Sequence, residues 1–381
     1  MISEPPTIAI LTNARAADQR SMIGYGDLLL DAARQSGARV VEWRGASLFA
    51  RLPLRGRLRK LALNLDRFVV TPLGLLGRRA DIVHVVDPGN CVYLPLTRHR
   101  HSIVTVHDLI PYLAAAGRLE GFRPTPTGRL LMARILRRLA RVDRIVCVSH
   151  ATRRDLLELS EVRPERVSVI HNAVFQPMAP TAPEACRVFR ARHGIPAEAP
   201  LVLHVGRNFY KNRPMVLELF ARVRTERPDA RLVLVGALEP SLQAKAARLG
   251  VTDAMHVLEH VPREEMAALY TTASVLLFPS LYEGFGLPVL EAQMCGTPVV
   301  CSDAGSLPEV AGAGTLTMPP NDREGLAASV AQTLARTTMP RHCAVLPARF
   351  ERQAWVRAVA HLHADVLDRA RPVAVAPARQ A

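Results

Sequence analysis

One stretch, residues 280–296, limits what this chain can fold into more than any other, and it reads SLYEGFGLPVLEAQMCG. A short apolar run precedes it and predicts a buried strand. Gly284 and Gly286 favour a tight turn, and Pro288 suits the first turn of a helix because its φ is fixed and it has no N–H. Gly296 favours the end of that helix. The stretch therefore predicts a strand, a glycine loop and a helix N-terminus, one repeat unit of an α/β fold.

The same stretch predicts a binding site for an anionic ligand. The backbone N–H groups of Phe285, Gly286 and Leu287 would point away from the helix start, where the helix dipole adds about half a positive charge. Glu283 and Glu291 bracket this site. Carboxylates beside a phosphate repel it, so we expect both to accept hydrogen bonds from hydroxyls of a sugar or a ribose. The alternative for Glu291 is an acidic residue that only complements the helix dipole.

The setting EGFGLPVLEA, with seven residues between Glu283 and Glu291, resembles the E-x7-E motif of retaining glycosyltransferases of family 4, which have the GT-B fold. The resemblance implies an α/β protein of two Rossmann-like domains whose parallel sheets face each other across a cleft. A nucleotide sugar would lie on the second domain and the acceptor on the first. A chain of 381 residues is long enough for two such domains.

On this resemblance, residues 1–175 form an acceptor-side domain and residues 176–350 form the domain that binds the nucleotide sugar. Prolines between 177 and 183 mark the connection. Residues 351–370 predict a helix that returns to the first domain, as in relatives. Residues 371–381, which are rich in Ala, Pro and Val, predict a disordered tail.

A second motif lies in the predicted nucleotide-sugar domain, directly after the strand LVLHV. The segment GRNFYKN is similar to the family's G-R-x-x-x-K-N/G segment, in which Arg207 and Lys211 would grip the donor diphosphate. Cations there would neutralise the charge that develops on the leaving diphosphate, which lowers the barrier. The family often has one more residue between the two cations. The alternative is a pair of surface cations after a strand.

Two positions of the first domain complete the predicted site. His107 and Asp108 follow the strand SIVTV, and ligands of parallel sheets collect at that edge. They resemble the family's H-D motif, whose histidine hydrogen-bonds the transferred sugar or supports the departing phosphate; a lone histidine is more often structural. Gly24 and Gly26 predict a loop before a helix over residues 27–35, and in the family such a loop lines the cleft opposite the donor. A lone G-x-G is by itself weak evidence for a nucleotide site.

Basic residues are concentrated in the first domain, where 27 Lys and Arg stand against 15 Asp and Glu, so that it carries +12 of the net charge of +15. Two basic and apolar stretches, residues 51–61 and 129–141, predict peripheral contact with an anionic membrane surface. The alternative is an arginine-rich composition that covers every solvent face. No apolar run is long enough to span a bilayer and the start has no signal-peptide pattern. We therefore expect a cytoplasmic protein at the inner face of a membrane.

Taken together, the resemblance implies a hexosyltransferase that moves a mannose- or glucose-type sugar from a GDP- or UDP-linked donor to a glycan or a lipid-linked acceptor. Surface polysaccharide or lipopolysaccharide biosynthesis is the expected context. The chain contains no Asp-x-Asp pair, so we expect neither a metal nor another cofactor.

Two other functions are compatible with parts of this pattern. A sugar-nucleotide epimerase of the same fold would turn over a nucleotide sugar with no acceptor present. A nucleic-acid-binding protein would use the charge of +15, but the aromatic share of 5% and the absence of any nucleic-acid motif argue against it.

Overall fold

The computed structural model describes residues 5–15, 20–174, 178–336 and 347–368. The predicted tail at 371–381 and part of the predicted connection between the domains lie outside these ranges. Everything stated below concerns the described residues.

The first domain contains a sheet of six parallel strands in the order β2-β1-β3-β4-β5-β6. Strands β1, β3, β4 and β5 have continuous buried cores, as expected for strands covered on both faces. The strands are β1 (Thr7–Thr12), β2 (Arg39–Arg44), β3 (Arg79–Val85), β4 (Arg98–Val106), β5 (Arg144–Cys147) and β6 (Val167–Val169).

The second domain contains another parallel sheet, in the order β12-β11-β10-β7-β8-β9. Its chain order reverses between β7 and β10, and ligands of open α/β sheets bind beyond the strand ends at such a point. The strands are β7 (Leu201–Val205), β8 (Arg231–Val235), β9 (Met255–Leu258), β10 (Val275–Phe278), β11 (Val299–Ser302) and β12 (Leu316–Met318).

Helices cover both sheets, and none of those in the described ranges is long and apolar enough to cross a bilayer. The helices of the first domain are α1 (Arg20–Arg34), α2 (Gly56–Leu65), α3 (Thr71–Leu75), α4 (Ile110–Ala115), α5 (Pro126–Leu139) and α6 (His150–Leu159). Those that follow are α7 (Pro183–Arg192), α8 (Arg213–Glu226), α9 (Pro240–Arg248), α10 (Met266–Thr272), α11 (Leu287–Met294), α12 (Leu307–Val310), α13 (Arg323–Ala335) and α14 (Arg352–Asp368).

The last helix, α14, returns to the first domain and packs on α1. The buried Trp355 ring meets Tyr25 edge-on, with ring centroids 5.4 Å apart. The ring nitrogens of His363 and His84 lie 2.9 Å apart, so that α14 is also hydrogen-bonded to β3. The predicted α/β fold class, with two parallel-sheet domains and a returning helix, is confirmed.

The predicted loop at Gly24 and Gly26 is wrong, because helix α1 begins at Arg20 and contains both glycines. Helical spacing places Tyr25, Leu28 and Leu29 in the core. Their burial outweighs the low helix propensity of glycine, about 1 kcal/mol per residue. A Cβ at Gly26 would lie 3.2 Å from the side chain of Thr12, so this glycine allows α1 to approach the sheet closely.

Candidate functional site

Two adjoining cavities, of about 370 and 880 Å³, lie between the domains where the strands of both sheets end. Both are lined by residues from the start of α1, from the end of β4 and from the loop after β7. The residues they share are Ser21, Met22, His107, Asp108, Asn208, Tyr210 and Lys211. The two cavities are therefore parts of one cleft with a wall from each domain.

The glycine loop before α11 forms one wall of the smaller cavity. Gly286 has φ 98° and precedes the helix, which starts at Leu287 with proline in its first turn. A Cβ at Gly284 would lie 2.1 Å from the backbone oxygen of His107 in the other domain. Only glycine allows these two backbones to approach so closely. The predicted sequence of strand, glycine loop and helix start is present.

The start of α11 presents unused donors to the cleft. Among the described residues, no hydrogen bond is donated by the backbone N–H of Phe285, Gly286 or Leu287. Phe285 and Leu287 line the smaller cavity. These N–H groups and the helix dipole together favour an anion at this position.

A buried ion pair lies beside this helix start. Lys211 Nζ donates to Glu283 Oε1 at 2.8 Å, and the two residues are 9% and 5% exposed. The ammonium group also lies over the Phe278 ring, 4.5 Å from its centroid. An ammonium has three N–H donors, so the bond to Glu283 leaves donors for a further anion.

Local backbone geometry places Lys211 in the cleft. A short 3-10 turn, Phe209–Lys211, ends at Asn212, which adopts the left-handed φ of 55° and donates its side-chain amide to the oxygen of Pro279 at 3.0 Å. Gly206 has φ 113°, and a Cβ there would lie 2.9 Å from the Lys211 side chain. The glycine therefore leaves room for the lysine stem to run along the strand end.

The second predicted cation, Arg207, is exposed and lines the larger cavity. Sequence reasoning missed Arg213, which is 2% exposed at the start of α8. Its guanidinium donates to three carbonyl oxygens after β8, those of Val235 (3.0 Å), Gly236 (2.8 Å) and Ala237 (2.6 Å). Arg213 therefore fixes a loop that lines the larger cavity. Its position directly after the recognised motif, two residues beyond Lys211, was the available signal.

Glu291 also lines the smaller cavity and is half-buried. Tyr270 donates its hydroxyl to Glu291 Oε2 at 2.6 Å. Burial raises the pKa of Glu291 to about 7, and the Tyr270 hydrogen bond and the nearby Lys211 limit that rise. The carboxyl is therefore poised between its two protonation states near neutral pH.

The first-domain wall carries His107 and Asp108. His107 Nε2 lies 2.9 Å from the oxygen of Val86, and since a carbonyl only accepts, Nε2 carries the hydrogen. Burial lowers the pKa of His107, so the ring is neutral at pH 7 and Nδ1 is an acceptor. Burial raises the pKa of Asp108 to about 6, and its Oδ1 accepts from the Ile110 N–H at 3.1 Å.

The cleft thus brings together predicted residues from both domains. The smaller cavity is lined by His107, Asp108, Lys211, Glu283, Phe285, Leu287 and Glu291, and the larger cavity adds Arg207. Gly286 shapes the loop without lining either cavity. Gly24 and Gly26 lie inside α1 and line neither cavity, whereas Ser21 and Met22 at the start of that helix do. The roles assigned to these residues stay predictions.

Helix α6 of the first domain is held by the second domain, which sequence reasoning did not foresee. Glu309 accepts from the backbone N–H groups of His150 and Ala151, both at 2.8 Å, and lies 3.0 Å from His171 Nε2. These bonds lower the pKa of Glu309 against the effect of burial. The carboxylate and two histidines are close enough to hold a metal ion, but both carboxylate oxygens already accept backbone N–H groups. Glu309 is thus a helix cap supplied across the domain boundary.

Two family models match successive parts of the chain. The model described as Glycosyltransferase Family 4 matches residues 23–175, and the model described as Glycosyl transferases group 1 matches residues 187–345. Together they leave out only the two ends and a short segment around the connection between the domains.

Curated relatives match about half of the chain or somewhat more. The chain is 35% identical over 226 residues to D-inositol 3-phosphate glycosyltransferase of Thermobispora bispora, a match that covers 56% of this chain and 50% of the relative. It is 39% identical over 183 residues to MMP alpha-(1->4)-mannosyltransferase of Mycolicibacterium hassiacum, a match that covers 46% of this chain and 41% of the relative. It is 29% identical over 259 residues to O-antigen chain mannosyltransferase B of Escherichia coli (67% and 66%). The matches span between 41% and 66% of the length of these relatives.

Solved structures match nearly the whole chain. Sucrose-phosphate synthase of Thermosynechococcus elongatus superposes with a TM-score of 0.74 at 20% identity, over 96% of this chain and 100% of that chain. HepE of Anabaena, solved with UDP and glucose, gives 0.69 at 17% identity (94% and 100%). WaaG, described as a glycosyltransferase involved in lipopolysaccharide biosynthesis, gives 0.61 at 20% identity (94% and 95%). At these identities the likeness shows a shared fold.

Proposed function

Since this chain belongs to the glycosyltransferases of the GT-B fold, we propose that it transfers a hexose from a nucleoside diphosphate sugar to a glycan or lipid-linked acceptor, with retention of the anomeric configuration. The donor lies on the second domain, and the acceptor approaches from the first. Arg207, Lys211 and the start of α11 take the place of a metal at the diphosphate.

The observation that carries this proposal is the buried pair of Lys211 and Glu283 beside the start of α11. One end of the cleft offers an ammonium and unused N–H groups to an anion. A few residues away, Glu283 and Glu291 offer oxygens to hydroxyl groups. A diphosphate joined to a sugar and a ribose has both kinds of group, and a nucleic-acid backbone has no need of buried carboxylates.

The chemical step follows from where charge accumulates. The bond between the anomeric carbon and the phosphate oxygen breaks, and its electron pair stays on that oxygen. Lys211 and Arg207 stabilise the charge as it develops. The acceptor hydroxyl oxygen attacks the anomeric carbon on the face that the diphosphate leaves, and the acceptor proton passes to the departing phosphate oxygen. No protein nucleophile is required.

His107 has a positioning role on the opposite wall. Its Nε2–H is held by the carbonyl of Val86, so that the neutral ring offers Nδ1 as an acceptor. We assign Nδ1 to a hydroxyl of the transferred sugar. Asp108 lines the same wall and remains a candidate for contact with the donor.

The names of the relatives support a proposal for the donor. Two of them are named as mannosyltransferases, and one structural neighbour was solved with UDP and glucose. We therefore propose a mannose- or glucose-type sugar carried by GDP or UDP. One relative is named for the O-antigen chain and one structural neighbour is described in connection with lipopolysaccharide, and this supports a role in the assembly of surface polysaccharide at the cytoplasmic side of a membrane.

A thermal-shift panel of GDP-, UDP- and ADP-sugars tests the donor site. The wild-type protein is compared with Arg207→Ala, Glu291→Ala and the control Arg248→Ala, an exposed arginine at the end of α9. We expect one donor to raise the Tm of the wild type and the control by more than the Tm of either site variant. Equal stabilisation of all four proteins would overturn the site, and stabilisation of none by any sugar nucleotide would overturn the function.

A further inference from the structure

Exposed apolar side chains are concentrated in one segment of the first domain, residues 48–76. Of the 15 large hydrophobic residues that are exposed among the described residues, ten lie in these 29 positions. They are Leu48, Phe49, Leu52, Leu58, Leu61, Leu65, Phe68, Val69, Leu73 and Leu76. We call this segment the docking face. Exposed apolar patches of this kind mark interaction surfaces in soluble proteins.

The docking face is an ordered platform. Helix α2, a turn of π-helix over Asp66–Val70 and helix α3 form one continuous helical segment. Leu58, Leu61 and Leu65 follow helical spacing and therefore lie on one side of it. The apolar side chains thus project together from a rigid helix.

A single buried carboxylate fixes the rest of the docking face to this helix. Asp66 is 2% exposed and accepts from the backbone N–H groups of Leu48 (3.0 Å), Phe49 (3.0 Å) and Ala50 (2.8 Å). The loop that carries Leu48 and Phe49 is therefore tied to α2. Such a tie holds apolar side chains toward solvent, where hydrophobic burial alone would favour folding them inward.

The charge of the docking face indicates which kind of partner binds it. Its six basic residues are all exposed, and its one acidic residue is Asp66, which is buried. They are Arg51, Arg55, Arg57, Arg59, Lys60 and Arg67. A second copy of this face would carry the same positive charge, so the two copies would repel each other. An anionic lipid surface offers apolar chains below and negative headgroups above, which matches both components.

A cavity of about 320 Å³ adjoins the docking face. Asn64 and Arg67 of the face line it, together with Asn13 and Asn90 beyond the strand ends. Asp87 lines both this cavity and the larger cavity of the cleft. The docking face therefore lies near the cleft on the first domain.

We propose that the docking face, residues 48–76, inserts its apolar side chains into an anionic lipid surface while its arginines and lysine contact the headgroups. The other basic stretch, residues 129–141, takes no such part. In α5 the residues Ile135 and Leu139 are buried, Leu131 and Leu136 pack against the core, and Leu130 alone of its leucines is highly exposed. Docking does not rest on the proposed sugar transfer, so each can fail separately.

Co-sedimentation with phosphatidylglycerol–phosphatidylcholine vesicles, at low and high salt, tests the proposal on the full chain. We expect the wild type to bind these vesicles at low salt, to bind less at high salt, and not to bind pure phosphatidylcholine. The apolar variant Leu58→Ser/Leu61→Ser/Leu73→Ser and the charge variant Arg57→Gln/Arg59→Gln/Lys60→Gln should each lose on the order of a hundredfold in partitioning. All six positions are exposed, so the folded state should tolerate the changes.

The matched control is Leu130→Ser/Arg134→Gln/Arg137→Gln in α5, which changes similar exposed residues and should bind vesicles like the wild type. Equal binding by the apolar variant and the wild type, or binding lost equally in the α5 control, would overturn the proposal. So would a wild-type dimer that the apolar variant dissociates, because a second copy would then cover the face. Donor-dependent thermal shifts of the same variants report on the cleft, and we expect them to be unchanged.

Discussion

The two domains have the same parallel six-stranded sheet, but they distribute charge in opposite ways. The second domain draws a cation and a carboxylate together at its sheet edge, where Lys211 and Glu283 are paired and buried. The first domain carries most of the net charge on its outside, and its sheet edge holds a neutral His107 beside Asp108, whose pKa is raised to about 6. One fold therefore supports an edge suited to a diphosphate and an edge suited to hydroxyl groups.

The largest expected effect tests the charged edge. Lys211→Ala removes the buried cation and leaves Glu283 without its partner, which adds repulsion toward a diphosphate. We expect kcat/KM for sugar transfer to fall by about 10²- to 10³-fold. The double variant Lys211→Met/Glu283→Gln removes both charges. Its activity shows how much of the loss comes from the missing cation and how much from the unpaired carboxylate. Full activity in Lys211→Ala would contradict the assignment of the charged edge.

A second change tests whether the two edges must meet. Gly284→Ala would place a methyl group 2.1 Å from the backbone oxygen of His107, so the domains would have to move apart. Misplacement by about 1 Å can cost a hundredfold in rate, and we expect a loss in kcat of that order. Gly74→Ala is the control, because no atom lies within 4 Å of its Cβ position and, as at Gly284, its φ is outside the left-handed region. Normal kcat in Gly284→Ala would show that the observed approach of the domains is not needed for the reaction.

Arg207→Ala should have a smaller effect than loss of Lys211, because Arg207 is exposed and solvent screens its charge. We expect kcat/KM to fall about tenfold and the loss to shrink as salt is raised. Steady-state rates at two salt concentrations check this, with Arg248→Ala as the control. A loss equal to that of Lys211→Ala would mean that the exposed arginine becomes enclosed when donor binds.

The titration of Glu291 gives a prediction for stability. Burial raises the pKa of Glu291 to about 7, so its folded form keeps a proton that the unfolded chain releases at lower pH. The free energy of unfolding is therefore higher at acidic pH, and this contribution of Glu291 is lost as the pH rises toward 7. Glu291→Gln has no such loss and can still accept from Tyr270. We expect the difference in Tm between the variant and the wild type to increase in favour of the variant as the pH rises to about 7, and to stay constant above that pH. A difference that is constant from acidic to neutral pH would contradict the raised pKa.

The smallest expected effect concerns the contact between the domains away from the cleft. Glu309→Ala leaves the N–H groups of His150 and Ala151 without their acceptor, while Ser149 still accepts from the Thr152 N–H at 3.0 Å. Loss of a helix cap costs about 1 kcal/mol, and we expect a decrease in unfolding free energy of that size by chemical denaturation. Glu324→Ala, an exposed acidic residue in the first turn of α13, is the control. No difference between the two variants would argue that the cap is not formed in solution.

Local sequence signals predicted the second domain well. The glycines of residues 280–296, the helix start at Leu287 and the strand before Arg207 all follow from short-range rules, since turns and helix starts depend on nearby residues. Lys211 could be named from its motif, but its ion pair with Glu283 spans 72 positions and depends on how two strand ends meet. No local sequence pattern predicts a contact between residues so far apart.

The first domain shows where such reasoning fails. Gly24 and Gly26 favour a loop by propensity, and the burial of Tyr25 and its helical neighbours overrides that preference. The two basic stretches look alike in the sequence, yet α5 turns most of its apolar side chains to the core and the docking face keeps its own outside. Their difference arises from the buried acceptor at Asp66 and from the packing of α5 on the sheet, neither of which periodicity reveals.

The N-terminal end of helix α6 depends on Glu309, which lies 158 positions from Ala151 in the sequence. Separating the two domains would leave two backbone N–H groups of the first domain and the Glu309 carboxylate of the second domain unpaired at the same time. The contact therefore resists separation of the domains by the cost of leaving these polar groups unpaired. A protein evolving a wider cleft would have to change both halves of that contact together.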